Sequence, residues 1–307
     1  MDFQHINLAA AENDPALAKL VDGICRETGF LVLEGHGVKA DVIENLWGAA
    51  NQFFAQSSEV KQQVKAPYAG YPYGYLGPNA ETLAKSKGED TPPDLKESIN
   101  GGPLSVPKGA SADAMEFCYQ PTLWPELDGF RAAWEAYYSE MEALAERVMR
   151  LFARALELPV DHFAPYIDAP ISALRLLHYP ATKGVPLDRQ QRAGAHTDYG
   201  SLTILLPQPN SQGLQIQTPQ GDWIDVPAPE GAFVINIGDL MARWTADRWV
   251  STLHRVVAKP DQPTRLSVAY FHQPNWDAEI TPLDGSDVYP AVRSGPYLME
   301  KFRAAAG

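Results

Sequence analysis

The sequence contains little cysteine and no long apolar run. Its 307 residues include only Cys25 and Cys118, too few for the disulfide framework of a small secreted domain. No segment approaches the roughly 20 apolar residues that a membrane-spanning helix needs, and no basic region followed by an apolar core opens the chain. We therefore expect a cytoplasmic protein in which Cys25, within an apolar helical pattern, is a buried free thiol.

Positive charge is also scarce. There are 25 Lys and Arg residues against 38 Asp and Glu residues, which gives a formal net charge of −13. Nucleic acids and anionic membrane surfaces are bound by basic patches, so the composition argues against both kinds of partner. Hydrophobic residues make up 45% of the chain, enough for a large core in one structural domain. We expect a monomer or a weak homo-oligomer.

Hydrophobic periodicity divides the chain into a helical part and a β-rich part. Apolar residues at three- and four-residue steps predict helices over 14–28, 39–56 and 127–156, and Phe30–Leu33 reads as a short strand. The stretch 66–108 is rich in Gly, Pro and Tyr without periodicity, which predicts irregular structure. Short β-rich runs punctuated by turn residues then cover 173–178, 201–206, 214–217, 222–226, 232–236, 250–258 and 265–272.

That strand spacing is typical of a sandwich or barrel, so the pattern alone predicts an α+β fold. We divide the chain into an N-terminal helical and irregular region (1–120), a long supporting helix (121–170), a β-rich core (171–275) and a C-terminal tail (276–307). Together these segments are expected to form one structural domain.

His196 and Asp198 stand two positions apart, and His254 follows in a later β-rich run. If the segment 194–198 is extended, alternation along the strand places His196 and Asp198 on the same face. Two imidazoles and one carboxylate can occupy one face of a metal ion and leave the opposite positions open. This is the ligand set of non-haem Fe(II) oxygenases.

Arg265 and Ser267 also stand two apart, shortly after His254. A guanidinium and a hydroxyl on one strand face can clamp a carboxylate. In isolation, Arg265 would be read as a surface ion pair and Ser267 as an ordinary strand serine. Their position after the His-x-Asp and His elements favours an anion anchor.

Several segments, taken in order, resemble the 2-oxoglutarate/Fe(II)-dependent dioxygenases of the isopenicillin-N-synthase-like family. Thr28–Val38 resembles the opening of that family, and the resemblance covers nearly the whole chain, from about Phe3 to about Pro274. The resembling segments of the β-rich part are Leu174–Pro180, Gly194–Leu206, Gly213–Gln217, Gly221–Pro227, Gly231–Leu240 and Ser251–Val256.

The resemblance implies a double-stranded β-helix (jelly-roll) core with supporting helices. It also implies an enzyme that uses Fe(II), 2-oxoglutarate and O2 to hydroxylate, desaturate or cyclise a small organic substrate, with release of succinate and CO2. His196, Asp198 and His254 would bind the metal. Arg265 and Ser267 would hold the distal carboxylate of 2-oxoglutarate, with Tyr179 as a third contact.

Candidates for contact with the organic substrate are less specific. Phe271 shares the strand parity of Arg265, and Arg175 shares that of Tyr179. Trp244 is a candidate aromatic wall of the pocket. Other possible walls are Tyr71, Tyr73 and Tyr75. Three further histidines are excluded as ligands, by strand parity or by flanking glycines: His36, His178 and His272.

Three alternative readings stay open. The first is an Fe(II)/O2 oxidase of the isopenicillin-N-synthase type that does not use 2-oxoglutarate, in which Arg265 and Ser267 would bind a substrate carboxylate. The second is a non-catalytic β-sandwich protein, although the His-Asp-His set is intact. The third is a zinc hydrolase with the same ligands, which would leave the paired Arg265 and Ser267 unexplained.

Overall fold

The computed structural model describes residues 3–12 and 14–306. The helices are α1 (Leu8–Ala11), α2 (Pro15–Glu27), α3 (Ala40–Phe54), α4 (Ser58–Gln62), α5 (Ala112–Phe117), α6 (Phe130–Ala155), α7 (Asp239–Trp244) and α8 (Ser294–Ala306), with 3-10 helices at Leu83–Lys87 and Ala164–Tyr166. The strands are β1 (His5–Asn7), β2 (Phe30–Glu34), β3 (Gly74–Leu76), β4 (Glu97–Gly101), β5 (Ala173–Tyr179), β6 (Ala193–His196), β7 (Leu202–Pro207), β8 (Leu214–Gln217), β9 (Trp223–Asp225), β10 (Phe233–Ile237), β11 (His254–Val256), β12 (Arg265–His272), β13 (Glu279–Ile280) and β14 (Val292–Arg293).

Strands β5 to β12 divide equally between two sheets, with β5, β7, β10 and β12 in one and β6, β8, β9 and β11 in the other. The main sheet has the order β1-β2-β10-β7-β12-β5-β4-β3, and the second sheet has the order β6-β11-β8-β9. Apart from the parallel β1–β2 pair, neighbouring strands in both sheets run antiparallel. Two four-stranded layers built from eight successive strands in this way form a double-stranded β-helix. The fold class expected from the sequence is confirmed.

Helix α6 supports the main sheet with a buried aromatic stripe that includes Phe130, Trp134 and Tyr137. The ring of Tyr138 on the same helix lies 5.2 Å from the ring of Tyr270 on β12. Alternate residues of β12 and β5 therefore face the helices, and burial of each large apolar side chain stabilises this contact by about 1.5–3 kcal/mol. The remaining residues of these two strands face the second sheet.

A second, smaller core cluster lies between the two sheets. It contains Tyr179 of β5 and Ala269 of β12, together with Ile216 and Val256 of the second sheet. Arg265 and Ser267 share the strand parity of Ala269, so β12 directs them into the same interior. The candidate site is thus placed by strand alternation at the polar end of this inter-sheet space.

The structure differs from the sequence prediction in three segments. The stretch 66–108 is not wholly irregular, because β3 and β4 extend the main sheet beyond β5. All five residues of β4 are buried although three of them are polar, so its sequence shows no apolar alternation. The strand predicted at 250–258 is limited to His254–Val256, and the tail after 276 forms a β13–β14 hairpin and α8.

Cys25 and Cys118 are free and buried, as predicted for Cys25. Burial raises the pKa of the Cys118 thiol to about 12 and also raises the pKa of Cys25. Neither thiol is therefore a reactive thiolate near neutral pH. In the part of the chain that the structure describes, no helix combines the length and apolar character needed to cross a membrane.

Candidate active site

The structure brings His196, Asp198 and His254 together. His196 ends β6 and is paired in register with His254, which begins β11, while Asp198 lies two residues beyond β6. One nitrogen or oxygen atom from each side chain lies within 4.8 Å of the others. The His196 and His254 Nε2 atoms are 3.8 Å and 3.7 Å from Asp198 Oδ1. These distances are too long for hydrogen bonds and leave room for an ion between the three atoms.

Backbone carbonyls fix the orientation of both imidazoles. His196 Nδ1 lies 2.7 Å from the Gly194 carbonyl oxygen, and His254 Nδ1 lies 3.1 Å from the Thr252 carbonyl oxygen. Because a carbonyl oxygen only accepts, each Nδ1 carries the proton. In the neutral ring each Nε2 then keeps its lone pair, and this is the form that binds a metal ion.

The Asp198 carboxylate is held by two neighbours. Its Oδ2 accepts hydrogen bonds from Thr203 Oγ1 on β7 (2.5 Å) and from Asn236 Nδ2 on β10 (2.7 Å). Oδ1 is the oxygen that faces the two imidazoles. Sequence reasoning missed both neighbours, although a single polar residue inside the apolar run of β10 was a usable signal for Asn236.

The protonation states match a metal-binding set. Burial, with His254 beside it, lowers the pKa of His196 to about 3. Burial alone would raise the pKa of Asp198, but the two histidines, Thr203 and Asn236 outweigh it and lower that pKa. At neutral pH the site therefore presents a neutral His196 and an ionised Asp198.

Arg265 and Tyr179 form the other end of the site. They are register partners on β12 and β5, and the Arg265 guanidinium carbon lies 5.1 Å from the Tyr179 ring centroid. Arg265 Nε donates to Ser211 Oγ at 3.0 Å, whereas the buried Nη1 has no hydrogen-bond acceptor among the described residues. Ser267 is buried two positions further along β12. Ser211 was not anticipated from the sequence.

These residues fit Fe(II) and a 2-oxo acid. Two imidazole nitrogens and one carboxylate oxygen form the facial set of non-haem iron oxygenases. A buried guanidinium group is costly unless it is paired, so the unpartnered Arg265 Nη1 is chemically suited to a carboxylate ligand. A zinc hydrolase would use the same three metal ligands but would give Arg265 no role.

Arg175 lies on β5 within a buried group of charges. Its Nη1 is 3.2 Å from Glu81 Oε1, and Lys96 Nζ lies 3.1 Å from Glu81 Oε2 and 3.3 Å from Asp94 Oδ2. Burial alone would raise the pKa of Glu81, but Arg175 and Lys96 lower it to about 2. Phe271 is half-buried and packs against the inter-sheet cluster.

Trp244 is a core residue rather than a pocket wall. It is 1% exposed, and its ring lies 4.9 Å from that of Phe163 and 5.1 Å from that of Tyr166. It ends α7, which packs its apolar side into the main core. The expectation that Trp244 lines the pocket is therefore corrected, since a fully packed side chain offers no surface to a ligand.

The three aromatic residues before β4 also have structural partners. The hydroxyl of Tyr71 donates to the Pro121 carbonyl, that of Tyr73 to the Cys118 carbonyl, and that of Tyr75 to the Glu97 carboxylate. Tyr75 packs in the main core. None of these contacts involves the His-Asp-His set, so the aromatic walls proposed from the sequence are not supported here.

The other histidines singled out in the sequence bind protein atoms. His178 lies 2.7 Å from Glu97 and 2.8 Å from Thr264 Oγ1, and His272 Nδ1 lies 2.7 Å from Ser201 Oγ. His36 Nε2 lies 3.1 Å from the Gly231 carbonyl oxygen. Their exclusion as metal ligands agrees with these contacts.

Two family models match the chain. The model of the 2OG-Fe(II) oxygenase superfamily matches residues 170–274, and the model described as non-haem dioxygenase in morphine synthesis N-terminal matches residues 1–127. The first match spans β5 to β12 and so contains all three candidate metal ligands and Arg265.

Curated relatives match this chain along most of their own length. Homoarginine-6-hydroxylase 2-ODD-233 of Oryza sativa subsp. japonica is 32% identical over 93% of this chain and 88% of the relative. Validamycin A dioxygenase of Streptomyces hygroscopicus subsp. limoneus is 31% identical over 98% of this chain and 84% of the relative.

A solved structure agrees in fold. A full-length Neurospora crassa protein, crystallised in complex with alpha-KG, superposes with a TM-score of 0.85 at 32% identity, and the match covers 99% of this chain and 96% of that one. The metal-ligand geometry, the unpartnered Arg265 and these matches agree with one another. The chain belongs to the 2OG-Fe(II) oxygenase superfamily and is a 2-oxoglutarate-dependent dioxygenase that oxidises a small organic substrate.

Proposed function

We propose that His196, Asp198 and His254 bind the catalytic Fe(II), and that Arg265, Ser267 and Tyr179 bind 2-oxoglutarate. The observation that supports the metal site most strongly is the convergence of two lone-pair nitrogens and one free carboxylate oxygen within 4.8 Å. The buried Arg265 Nη1 without an acceptor supports the cosubstrate site.

Each residue of this set has a defined task. When bound, Fe(II) supplies O2 activation coupled to oxidative decarboxylation of 2-oxoglutarate to succinate and CO2. Thr203 and Asn236 hold Asp198 so that Oδ1 stays directed at the imidazoles. Arg265 binds the distal carboxylate of the cosubstrate, and the Tyr179 ring beside it excludes water from this ion pair. The protein thus orients the reactants and shields them from side reactions.

Arg175 and Phe271 are proposed to contact the organic substrate. Arg175 retains N–H groups beyond its contact with Glu81, and its side chain is partly exposed. Phe271 offers an aromatic surface on the neighbouring strand. We infer a small substrate that has an acceptor oxygen for Arg175 and a flat or apolar part for Phe271. Of the two relatives described above, one is named for homoarginine and the other for validamycin A.

Succinate release tests the cosubstrate assignment. We expect the Fe(II)-loaded enzyme to form succinate only with 2-oxoglutarate, and Arg265→Met to raise the KM for 2-oxoglutarate by about a hundredfold or more because a buried carboxylate loses its cation. Arg150→Met is the matched control, because Arg150 forms exposed ion pairs with Glu146 and Asp161. O2 uptake that is indifferent to 2-oxoglutarate would instead favour an oxidase of the isopenicillin-N-synthase type.

We also infer a cytoplasmic monomer or weak homo-oligomer that does not bind nucleic acid. The two buried free thiols and the net charge of −13 support this view. Size-exclusion chromatography with light scattering tests the assembly state, and a stable dimer at micromolar concentration would contradict it.

A further inference from the structure

Arg192 is a buried arginine at the cosubstrate end of the site that the assigned roles leave unexplained. It directly precedes β6, and its backbone N–H donates to the Val256 carbonyl at 2.9 Å. The residue is 2% exposed. Arginine is almost never fully buried unless it is paired with an acid, yet Arg192 has no carboxylate partner within residues 3–12 and 14–306.

The contacts of Arg192 place it beside the proposed anchor. Its Nη2 donates to the Pro180 carbonyl at 3.0 Å and to the Pro263 carbonyl at 2.6 Å. Pro180 directly follows Tyr179, and Pro263 lies two residues before Arg265. Arg192 therefore spans the ends of β5 and β12 at the point where these strands carry the cosubstrate contacts. Its Nε is buried and has no acceptor among the described residues.

Two cations thus share this end of the site without a counter-charge from the described part of the chain. Burial lowers the pKa of Arg192, and Arg265 nearby lowers it further. Burial likewise lowers the pKa of Arg265. Both guanidinium groups stay charged at neutral pH because arginine loses its proton only far above it. Like charges held together in a buried region repel each other, and a bound anion relieves that repulsion.

We propose that the positive charge of Arg192 acts with Arg265 to select a cosubstrate with a distal carboxylate. This inference rests on the proposed binding of 2-oxoglutarate at Arg265. The carbonyls of Pro180 and Pro263 hold the Arg192 guanidinium in place, so its charge is fixed before the ligand arrives. A 2-oxo acid that ends in a methyl group would leave both cations uncompensated, whereas 2-oxoglutarate neutralises one of them and attracts the other.

Calorimetric binding to the Fe(II)-loaded protein under anaerobic conditions tests the proposal without turnover. The two probes are 2-oxoglutarate and 2-oxopentanoate, which has the same five-carbon 2-oxo acid chain with a methyl group in place of the distal carboxylate. We expect Arg192→Gln to weaken binding of 2-oxoglutarate by about tenfold or more and binding of 2-oxopentanoate by less than about twofold. Arg192→Lys, which keeps the charge, should weaken 2-oxoglutarate binding by less than about threefold.

Three results would overturn the role of Arg192: unchanged 2-oxoglutarate binding by R192Q, equal weakening of both probes, or an R192K loss as large as that of R192Q. Equal weakening would mean that Arg192 only holds the two strand ends. R192M, a second neutral variant of similar length, keeps the test decisive if R192Q does not fold. Failure of the Arg265 assignment has a separate signature, since the wild-type protein would then bind both probes equally.

Discussion

Two buried clusters of histidine and carboxylate lie on opposite sides of the main sheet, and their bonding differs. On the helix side, the Glu97 carboxylate accepts hydrogen bonds from Lys61, Tyr75 and His178, and the other nitrogen of His178 contacts Thr264. Between the sheets, His196 and His254 each use only Nδ1, and Asp198 uses only Oδ2.

The difference separates a structural cluster from a ligand site. The Glu97 cluster satisfies its buried groups with protein atoms, so it stabilises the fold and needs nothing further. The Asp198 cluster satisfies one side of each group and leaves Nε2, Nε2 and Oδ1 directed at a common point. Residue type alone does not distinguish the two clusters. The unused lone pairs do.

Exchange of one histidine in each cluster gives the largest expected effect. His196→Ala should abolish stoichiometric Fe(II) binding and reduce turnover by about a thousandfold or more, because the metal loses one of three protein ligands. His178→Ala should keep Fe(II) binding and instead destabilise the fold by about 1–3 kcal/mol, because buried donors and acceptors lose a partner. Anaerobic metal analysis and urea unfolding measure both properties.

The opposite results for Fe(II) binding in those two variants would contradict the distinction between the ligand site and the structural cluster. If H196A retained a full equivalent of tightly bound Fe(II) and H178A lost it, the ligand set would have to be sought on the helix side of the sheet. Far-UV circular dichroism of both variants guards against a trivial loss through misfolding.

The Glu97 cluster should make stability depend on pH. Burial alone would raise the pKa of Glu97, but His178, Lys61 and Tyr75 lower it from 4.5 to about 2. Because the folded-state pKa is the lower one, the ionised carboxylate contributes stability above about pH 4.5, and this contribution is lost as the pH falls towards 2. Glu97→Gln should therefore cost about 2–3 kcal/mol near neutral pH, and the cost should shrink with acidification.

Urea unfolding of wild type and E97Q at several pH values between about 2 and about 7 measures this difference. Glu230→Gln, at an exposed position, controls for the removal of one negative charge. A constant difference between wild type and E97Q across the range would mean that ionisation of Glu97 does not stabilise the fold.

Much of the site could be predicted from the sequence because its residues obey strand alternation. The spacing of Arg265 and Ser267 on β12 sufficed to place them on one face, and the structure agrees. The family resemblance implied the double-stranded β-helix, which local pattern gave only as an α+β fold. The convergence of His196, Asp198 and His254 also depends on the long-range pairing of β6 with β11. The local sequence pattern predicts the two strands but not their pairing.

The residues that escaped prediction act through contacts distant in sequence. Asn236 on β10 contacts Asp198, 38 positions earlier in the chain, and Arg192 contacts the ends of two other strands. β4 was missed because its buried polar residues are stabilised by partners such as Lys61 on α4, a helix far earlier in the chain. Trp244 shows the opposite error. The sequence assigns this aromatic residue to the wall of the substrate pocket, but it packs into the main core.

Two hydroxyl groups on one strand end provide the smallest and most discriminating comparison. Thr264 Oγ1 donates to the Tyr179 carbonyl and contacts His178 of the Glu97 cluster, whereas Ser267 lies on the inter-sheet face with Arg265. Thr264→Val should lower stability by about 1 kcal/mol and leave the KM for 2-oxoglutarate unchanged. Ser267→Ala should raise that KM by about three- to tenfold without lowering stability, because only the bound carboxylate loses a donor. Equal effects of both variants on KM would mean that the strand end responds as one unit, and that a hydroxyl at 267 has no separate role in binding.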